Sequence, residues 1–437
     1  MKVLFINDST TSSNWGGRAA TVPLRKMIER MGGDIVRTIT IEDLVRSSLD
    51  GAASRPLGRT VGRPVKDIAR LFIPPIFLTV RRAAIQRFGA SEDSVPIPLS
   101  WADYGRCLDR VLGTETPWPA LMRAIEDIDV AIVHGDGDIS GSFLVPRTLL
   151  FLSYVIKKHF GKPVLMVDHS ADLDTPELRR VAEEVYPLYD DVVFRDRLSL
   201  ERCRNLCDGR FAADTAFWFK PAPRETWTRI AERDTYFDIW PDTAAFDPRE
   251  PYLCLGGSSI FHDRKDWDSV LKGYGLLIRH LQSEYTGQIL LTVSDALDQT
   301  IFRTLANRHG LPLIGVTTPI QQAADILGNA DAYIGGRWHA SILALRGGTP
   351  LVALSSQTFK MRALTDMTGS STASFDALDL GRDMRAIGQQ LALWLQQGSD
   401  LRGRLSAWAD DMADTIWGNV SFLERFHSRG ATGDGRA

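Results

Sequence analysis

The chain has 437 residues, with 51 Lys and Arg against 54 Asp and Glu and a formal net charge of −3. Its 44% hydrophobic and 24% charged residues are those of a globular protein long enough for two domains, which excludes a disordered chain, a collagen-like repeat and a coiled-coil rod. The balanced charge excludes a global basic field for nucleic acid, and four cysteines (Cys107, Cys203, Cys207, Cys254) are too few for a disulfide scaffold, so reduced thiols and a cytoplasmic location are expected.

In chain order, KVLFIN (2–7) reads as a buried strand rather than a signal peptide. TVPLRKMIERMG (21–32) has helical spacing, and DIVRTITI (34–41) reads as a second strand. Residues 50–100 are rich in Arg, Pro and Ser and read as an insertion. Within them LFIPPIFLTV (71–80) is too short and too proline-broken to span a membrane. It is either a segment packed onto the core or, with Arg81, Arg82 and Arg87, a shallow contact with a membrane surface. A helix is expected over 102–126, then the strand DVAIVHGDGDISG (129–141), which empties into a Gly/Asp loop. The helix RTLLFLSYVIKKHFG (147–161), the strand KPVLMVDHS (162–170), a helix from Pro176, the strand DVVFRD (191–196) and the helix LSLERCRNLC follow. Such β-α-β alternation with unbroken Val/Ile/Leu strands predicts a parallel sheet covered on both faces.

Residues 216–250, with several prolines and aromatics, break the rhythm, which restarts at PYLCLGGSS (251–259) and runs through further strands at 288–295, 331–336 and 350–356. The predicted organisation is an N-terminal Rossmann-like domain over 1–220 with an insertion at about 45–125, a linker over 221–250, a C-terminal Rossmann-like domain over 251–380, and C-terminal helices and tail over 381–437. The fold class is therefore α/β, with two Rossmann-like domains facing a cleft. Ligands of such sheets bind at the carboxyl ends of strands, beside helix N-termini.

The most informative stretch is IGGRWHASILALRGGTPLVAL (334–354). Its glycines allow a tight turn after a buried strand, and Arg337 and His339 follow at a helix start, where unpaired N–H groups already favour a phosphate or carboxylate. Lys360 stands beyond the next strand, where it could converge on the same anion or be an ordinary surface lysine. Arg195, Asp196 and Ser199 fall in another strand-to-helix turn, with capping and local ion pairing as the simpler reading. The DGD at 136–138 reads as a solvated turn rather than a metal site.

Together these segments resemble the polysaccharide pyruvyl transferase family, enzymes that move a pyruvyl group from phosphoenolpyruvate onto a sugar. GGRWHASILALRGGTPLVAL is similar to the family's arginine–x–histidine–alanine segment, and Lys360 stands where the family has its lysine. VVFRDRLSLERCRNLC with AADTAF (212–217) is similar to its arginine–aspartate–x–x–serine helix and following aspartate strand. NWGG (14–17) and HGDGDIS (134–140) sit where the family has an asparagine-glycine turn and a glycine-rich loop; Gly17 replaces the family's Asp, and 45–125 has no counterpart.

The resemblance implies a GT-B-like arrangement, phosphoenolpyruvate as donor substrate, no cofactor and no metal. It also implies a saccharide acceptor, with a lipid-linked form at the inner face of a membrane among the candidates. Arg195, His339 and Lys360 correspond to the donor-binding arginine, histidine and lysine, and Arg337 is the motif's own arginine. Asn14, Gly16, Gly135, Asp136, Asp138 and Gly336 are the expected substrate-binding residues. His339 would act as acid or as phosphate ligand, and the base for the sugar hydroxyl would be one of Asp136, Asp138 and Asp168. The insertion around 50–100 is expected to serve the acceptor. Two alternatives stand beside this. A nucleotide-sugar glycosyltransferase would use GGSS (256–259) for a diphosphate and Asp295 or Asp298 for a ribose. A non-catalytic glycan or protein binder would have no need to bring Arg337, His339 and Lys360 together.

Overall fold

The computed structural model describes residues 1–46, 49, 97–141, 143–233, 236–263, 266–370 and 372–426. The expectations for 71–80, Arg81, Arg82 and Arg87 lie outside the described residues. The chain divides into two compact units, one of Met1–Thr11, Thr21–Asp214 and Trp417–Ala437, the other of Ser12–Ala20 and Thr215–Ile416.

The first unit is built on strands β1 (Lys2–Asp8), β2 (Asp34–Thr40), β3 (Val130–Ser140), β4 (Val164–Asp172), β5 (Asp191–Phe194) and β6 (Arg210–Phe211). They form one sheet in the order β2-β1-β3-β4-β5-β6, with every pairing parallel. Val3–Ile6, Val130–Val133 and Val164–Val167 are buried throughout, as a sheet covered on both faces requires. The helices are α1 (Trp15–Arg30, whose residues 15–20 count with the second unit), α2 (Ile41–Arg46), α3 (Tyr104–Leu112), α4 (Pro119–Asp127), α5 (Leu144–Lys158), α6 (Pro176–Val185) and α7 (Arg197–Cys203). The single helix expected over 102–126 is two, α3 and α4, because Gly113 and Pro117 interrupt it and Pro119 opens the next. Nor is 134–140 a loop: after an irregularity between Asp136 and Ile139, β3 resumes pairing with β4 at Ile139↔Ala171 and Ser140↔Asp172.

The second unit holds β7 (Ile239–Trp240), β8 (Tyr252–Ser258), β9 (Gln288–Thr292), β10 (Leu313–Ile314), β11 (Ala332–Gly336) and β12 (Leu351–Ala353), in the order β12-β11-β8-β9-β10-β7. Only β7 runs antiparallel, on the edge beside β10. Its helices are α8 (Arg224–Ala231), α9 (Trp267–Glu284), α10 (Ala296–His309), α11 (Ile320–Gly328), α12 (Trp338–Leu345), α13 (Lys360–Met367) and α14 (Leu380–Thr415). The stretch 221–250, expected as a linker, therefore supplies α8 and an edge strand of the second sheet. Its structure was hidden because an edge strand of two residues has no periodicity to read. The tail is not a segment of its own either: α14 belongs to the second unit, and the chain from Trp417 returns to the first.

Among the parallel strands, each sheet reverses strand order once. The reversal falls between β1 and β3 in the first unit and between β8 and β11 in the second. Open parallel sheets take ligands beyond the carboxyl ends of the strands at such a point.

Candidate active site

In the second unit, β11 ends at Gly336 beside the end of β8, where a Cβ on Gly336 would lie 2.6 Å from Ser355 O and 2.7 Å from Ser258 Oγ. Glycine is therefore the residue that lets the two strand ends close up. Arg337 follows as the N-cap of α12 and is buried. Its Nε donates to Asp298 Oδ2 at 2.9 Å and its NH2 to Asp298 Oδ1 at 2.7 Å, while Asp295 Oδ1 lies 3.7 Å away. Asp298 reaches this position because Gly257, at the end of β8, leaves room: a Cβ there would meet the carboxylate at 2.5 Å. Burial pushes the Asp298 carboxyl up to about 6, against the pull of Arg337. The bidentate pair holds the turn rigidly and largely neutralises the guanidinium.

Across the buried run Ala332–Arg346, His339 is the one residue that keeps partial exposure, in the first turn of α12. The positive end of that helix's dipole favours an anion there. Lys360 is partly exposed at the head of α13, and the adjacent Met361 packs by Sδ against Ser341 Oγ of α12 at 4.0 Å.

The segment Ser12–Ala20 joins this site from the far end of the sequence. Asn14 Nδ2 donates to Asp295 Oδ2 at 2.9 Å, Asn14 Oδ1 accepts from Gly16 N at 2.7 Å, and Trp15 N donates to Ser294 O at 2.9 Å. Gly16 lies so close to His339 that a Cβ would overlap its ring. The structure thus brings Asn14, Gly16, Gly336, Arg337 and His339 together, with Asp295 and Asp298 as the acids that orient them.

Arg195, Gly135, Asp136 and Asp138 lie in the first unit, around the ends of β1, β3, β4 and β5. Arg195 is 1% exposed, and its guanidinium donates to Ser170 Oγ at 3.0 Å, Asp136 Oδ1 at 2.5 Å and Asp214 Oδ2 at 3.0 Å. Gly135 is buried, and a Cβ there would meet His169 Cβ at 2.5 Å, so it serves the approach of β3 to β4. His169 is neutral, lowered to about 3 by burial, with Nδ1 2.9 Å from Val193 O. His134 Nε2 lies 3.6 Å from Asp168 Oδ2, both fully buried; burial disfavours the imidazolium, but Asp168 outweighs it and raises the His134 pKa. Asp196 caps α7 by accepting from Ser199 N at 2.7 Å, as its simpler reading anticipated. Sequence reasoning singled out the segment of Asp214 only through the family resemblance, and it assigned no role to Asn7 or Asn419. Asn419 Oδ1 accepts from Asp168 N, and its Nδ2 donates to Ala213 O, both at 2.9 Å. No spacing rule links residue 419 to residue 168, so no signal in the chain could have found it.

The family model described as polysaccharide pyruvyl transferase matches residues 25–358. The chain belongs to the polysaccharide pyruvyl transferase family. Among solved structures, this pyruvyl transferase is similar to a protein from Listeria monocytogenes assigned as a UDP-N-acetylglucosamine 2-epimerase (TM-score 0.52, 13% identity, 99% of this chain and 97% of that one). It is also similar to Arabidopsis thaliana UGT89C1 complexed with UDP-L-rhamnose (TM-score 0.52, 13% identity, 98% of each chain). Identities this low establish the fold alone: two Rossmann-like domains of the GT-B class, carried by a transferase. A comparison with curated proteins finds no match. Among the described residues, no helix is long and apolar enough to cross a membrane.

For this pyruvyl transferase the packing of Gly16 on His339 has a direct consequence. Gly16→Ala should displace the imidazole, which can swing toward solvent, and lower turnover about 10- to 100-fold with little change in melting temperature. Steady-state kinetics beside differential scanning calorimetry would check it, and unchanged turnover would contradict the close approach.

Proposed function

We propose that this protein transfers the pyruvyl group of phosphoenolpyruvate to a saccharide, forming a pyruvate ketal on a cell-surface polysaccharide or its lipid-linked precursor. The observation that carries the reading is His339: one polar, partly exposed side chain at the start of a buried helix, beside the strand-order reversal of the second sheet. The phosphate and carboxylate of phosphoenolpyruvate suit that helix end, with His339 and Lys360 supplying positive charge. Arg337, held by Asp298, fixes the turn that presents His339. An imidazole there can deliver a proton to the donor's methylene carbon or bind its phosphate. The reaction so drawn calls for no metal and no cofactor. A lipid-linked acceptor would meet the apolar, arginine-flanked stretch 71–80 at the inner face of a membrane.

A nucleotide-sugar donor is the alternative that the structural neighbours bring to mind. Asp298, one of the two acids reserved for its ribose, is fully buried in the pair with Arg337, and Asp295 is engaged by Asn14 and by Leu297 N. The test is direct. Purified protein with phosphoenolpyruvate and a panel of p-nitrophenyl hexopyranosides should release phosphate, and the glycoside should gain one pyruvate ketal by mass spectrometry. Turnover of a nucleotide sugar with indifference to phosphoenolpyruvate would replace this reading with the alternative.

A further inference from the structure

The strand-order reversal of the first sheet, between β1 and β3, is ringed by polar side chains. Among the described residues, the three non-glycine positions with positive φ are Asn7 (72°), near the end of β1, and Asp136 (45°) and Asp168 (50°), at irregular points within the neighbouring strands β3 and β4. Left-handed backbone costs a non-glycine residue about 1 kcal/mol or more and persists where the surroundings over-determine it, typically at functional sites. The kinks have a visible result. Asn7 Nδ2 bridges the two strands, donating to His134 O and to Asp138 Oδ2, both at 2.8 Å.

The carboxylates here have separate situations. Asp136 and Asp214 both face Arg195, and Asp168 is fully buried opposite His134. Asp138 is partly exposed, and among the described residues it has no ion-pair partner; its hydrogen bond comes from the neutral amide of Asn7. It is therefore the carboxylate placed to meet an incoming hydroxyl.

We infer that Asp138 is the general base for the acceptor, in a site at the carboxyl ends of β1 and β3 that takes a sugar diol; this rests on the pyruvyl-transfer reading. In the first step Asp138 removes the proton of one hydroxyl while its oxygen bonds to C2 of phosphoenolpyruvate. The C2=C3 electron pair takes a proton at C3 from the acid on the donor side, giving a tetrahedral adduct that still carries phosphate. In the second step the other hydroxyl attacks C2, the C2–O bond to phosphate breaks with its electron pair on the phosphate, and the second hydroxyl proton leaves with it. The sum is donor plus diol giving ketal plus hydrogen phosphate; solvent then deprotonates Asp138 and reprotonates the acid.

Electrostatics agree with that role. Burial and the charge of Asp136 raise the Asp138 carboxyl to about 6, against the opposing pull of Asn7, His134 and Arg195. Asp168 and Asp214, which also interact with Arg195, complete the charged groups of the cluster. A carboxylate titrating near 6 is ionised at neutral pH yet more basic than an ordinary aspartate, which suits a base. Because Asp138 must be ionised to act, the rate should fall as pH drops through about 6 and hold above it.

The experiment uses the full-length protein, phosphoenolpyruvate and p-nitrophenyl hexopyranosides. Asp138→Asn should lower phosphate release by about 100-fold or more. Calorimetric affinity for phosphoenolpyruvate should stay at the wild-type value, the melting temperature should not fall, because the amide carries no buried charge, and Asp138→Glu should regain part of the rate. The acidic limb of the wild-type pH profile should vanish from the variant's residual rate. Independently of any acceptor, the wild type should take up about 0.8 proton more than Asp138→Asn between pH 7 and pH 5, whereas an ordinary aspartate would leave the two nearly alike. A variant that keeps more than a tenth of the rate, or keeps the acidic limb, overturns the assignment and leaves pyruvyl transfer standing. A wild type that neither binds phosphoenolpyruvate nor releases phosphate from it overturns both.

Discussion

Arg195→Ala should lower the melting temperature of the protein by about 10 °C. The side chain is 1% exposed, and it stands between Asp136 and Asp214 with Ser170 as a third partner. Removing it leaves two carboxylates facing each other in a buried setting, with Asp168 close enough for its charge to be felt. Breaking one side of a buried ion pair costs about 3–5 kcal/mol, which in a unit of this size is worth about 2–4 °C per kcal/mol. The loss comes from the stranded acids rather than from the missing contacts. The variant Arg195→Met with Asp136→Asn and Asp214→Asn should therefore recover most of it, since replacing a whole buried network is often close to neutral. Calorimetric scans of the two variants decide the point; a single-variant shift under about 2 °C would mean that water reaches the cluster and screens it.

His339→Ala should reduce pyruvyl transfer about 100-fold while leaving the melting temperature nearly unchanged, and Lys360→Ala should do the same. Both side chains are partly exposed at the first turns of their helices, so truncation opens no core cavity. What is lost is a charge-assisted contact to an anionic donor in a partly desolvated site, worth about 3 kcal/mol, or about two orders of magnitude in rate. The contrast with Arg195 is in burial: one change is read in the melting curve, the other in turnover. Phosphate release from phosphoenolpyruvate by purified, folded variants is the measurement, and near-normal turnover in either would remove that residue from the donor site.

Much of this was legible in the chain. Unbroken runs such as KVLFIN and KPVLMVDH can be satisfied only between two covering layers, so they announced a parallel sheet, and the glycine turn before Arg337 and His339 marked a strand end with an anion-friendly helix start. Other features were hidden for physical reasons. The two-residue edge strand Ile239–Trp240 has no period to detect, and the continuation of β3 through Ser140 depends on a partner strand some thirty residues on.

By itself the sequence determined the fold class, the family and the loop that carries His339, because those depend on local hydrophobic period and local turn chemistry. Only the tertiary structure decided which charges are spent and which remain available. Arg337 and Arg195 look alike as strand-end arginines, yet each is taken up by carboxylates from other elements or loops, Asp298 in one case and Asp136 and Asp214 in the other. Asp136 and Asp138 are two residues apart, yet one faces Arg195 and the other Asn7. Charge pairing and burial are set by distance in space, between residues that lie from about twenty to more than a hundred positions apart in the chain, and no local pattern encodes it.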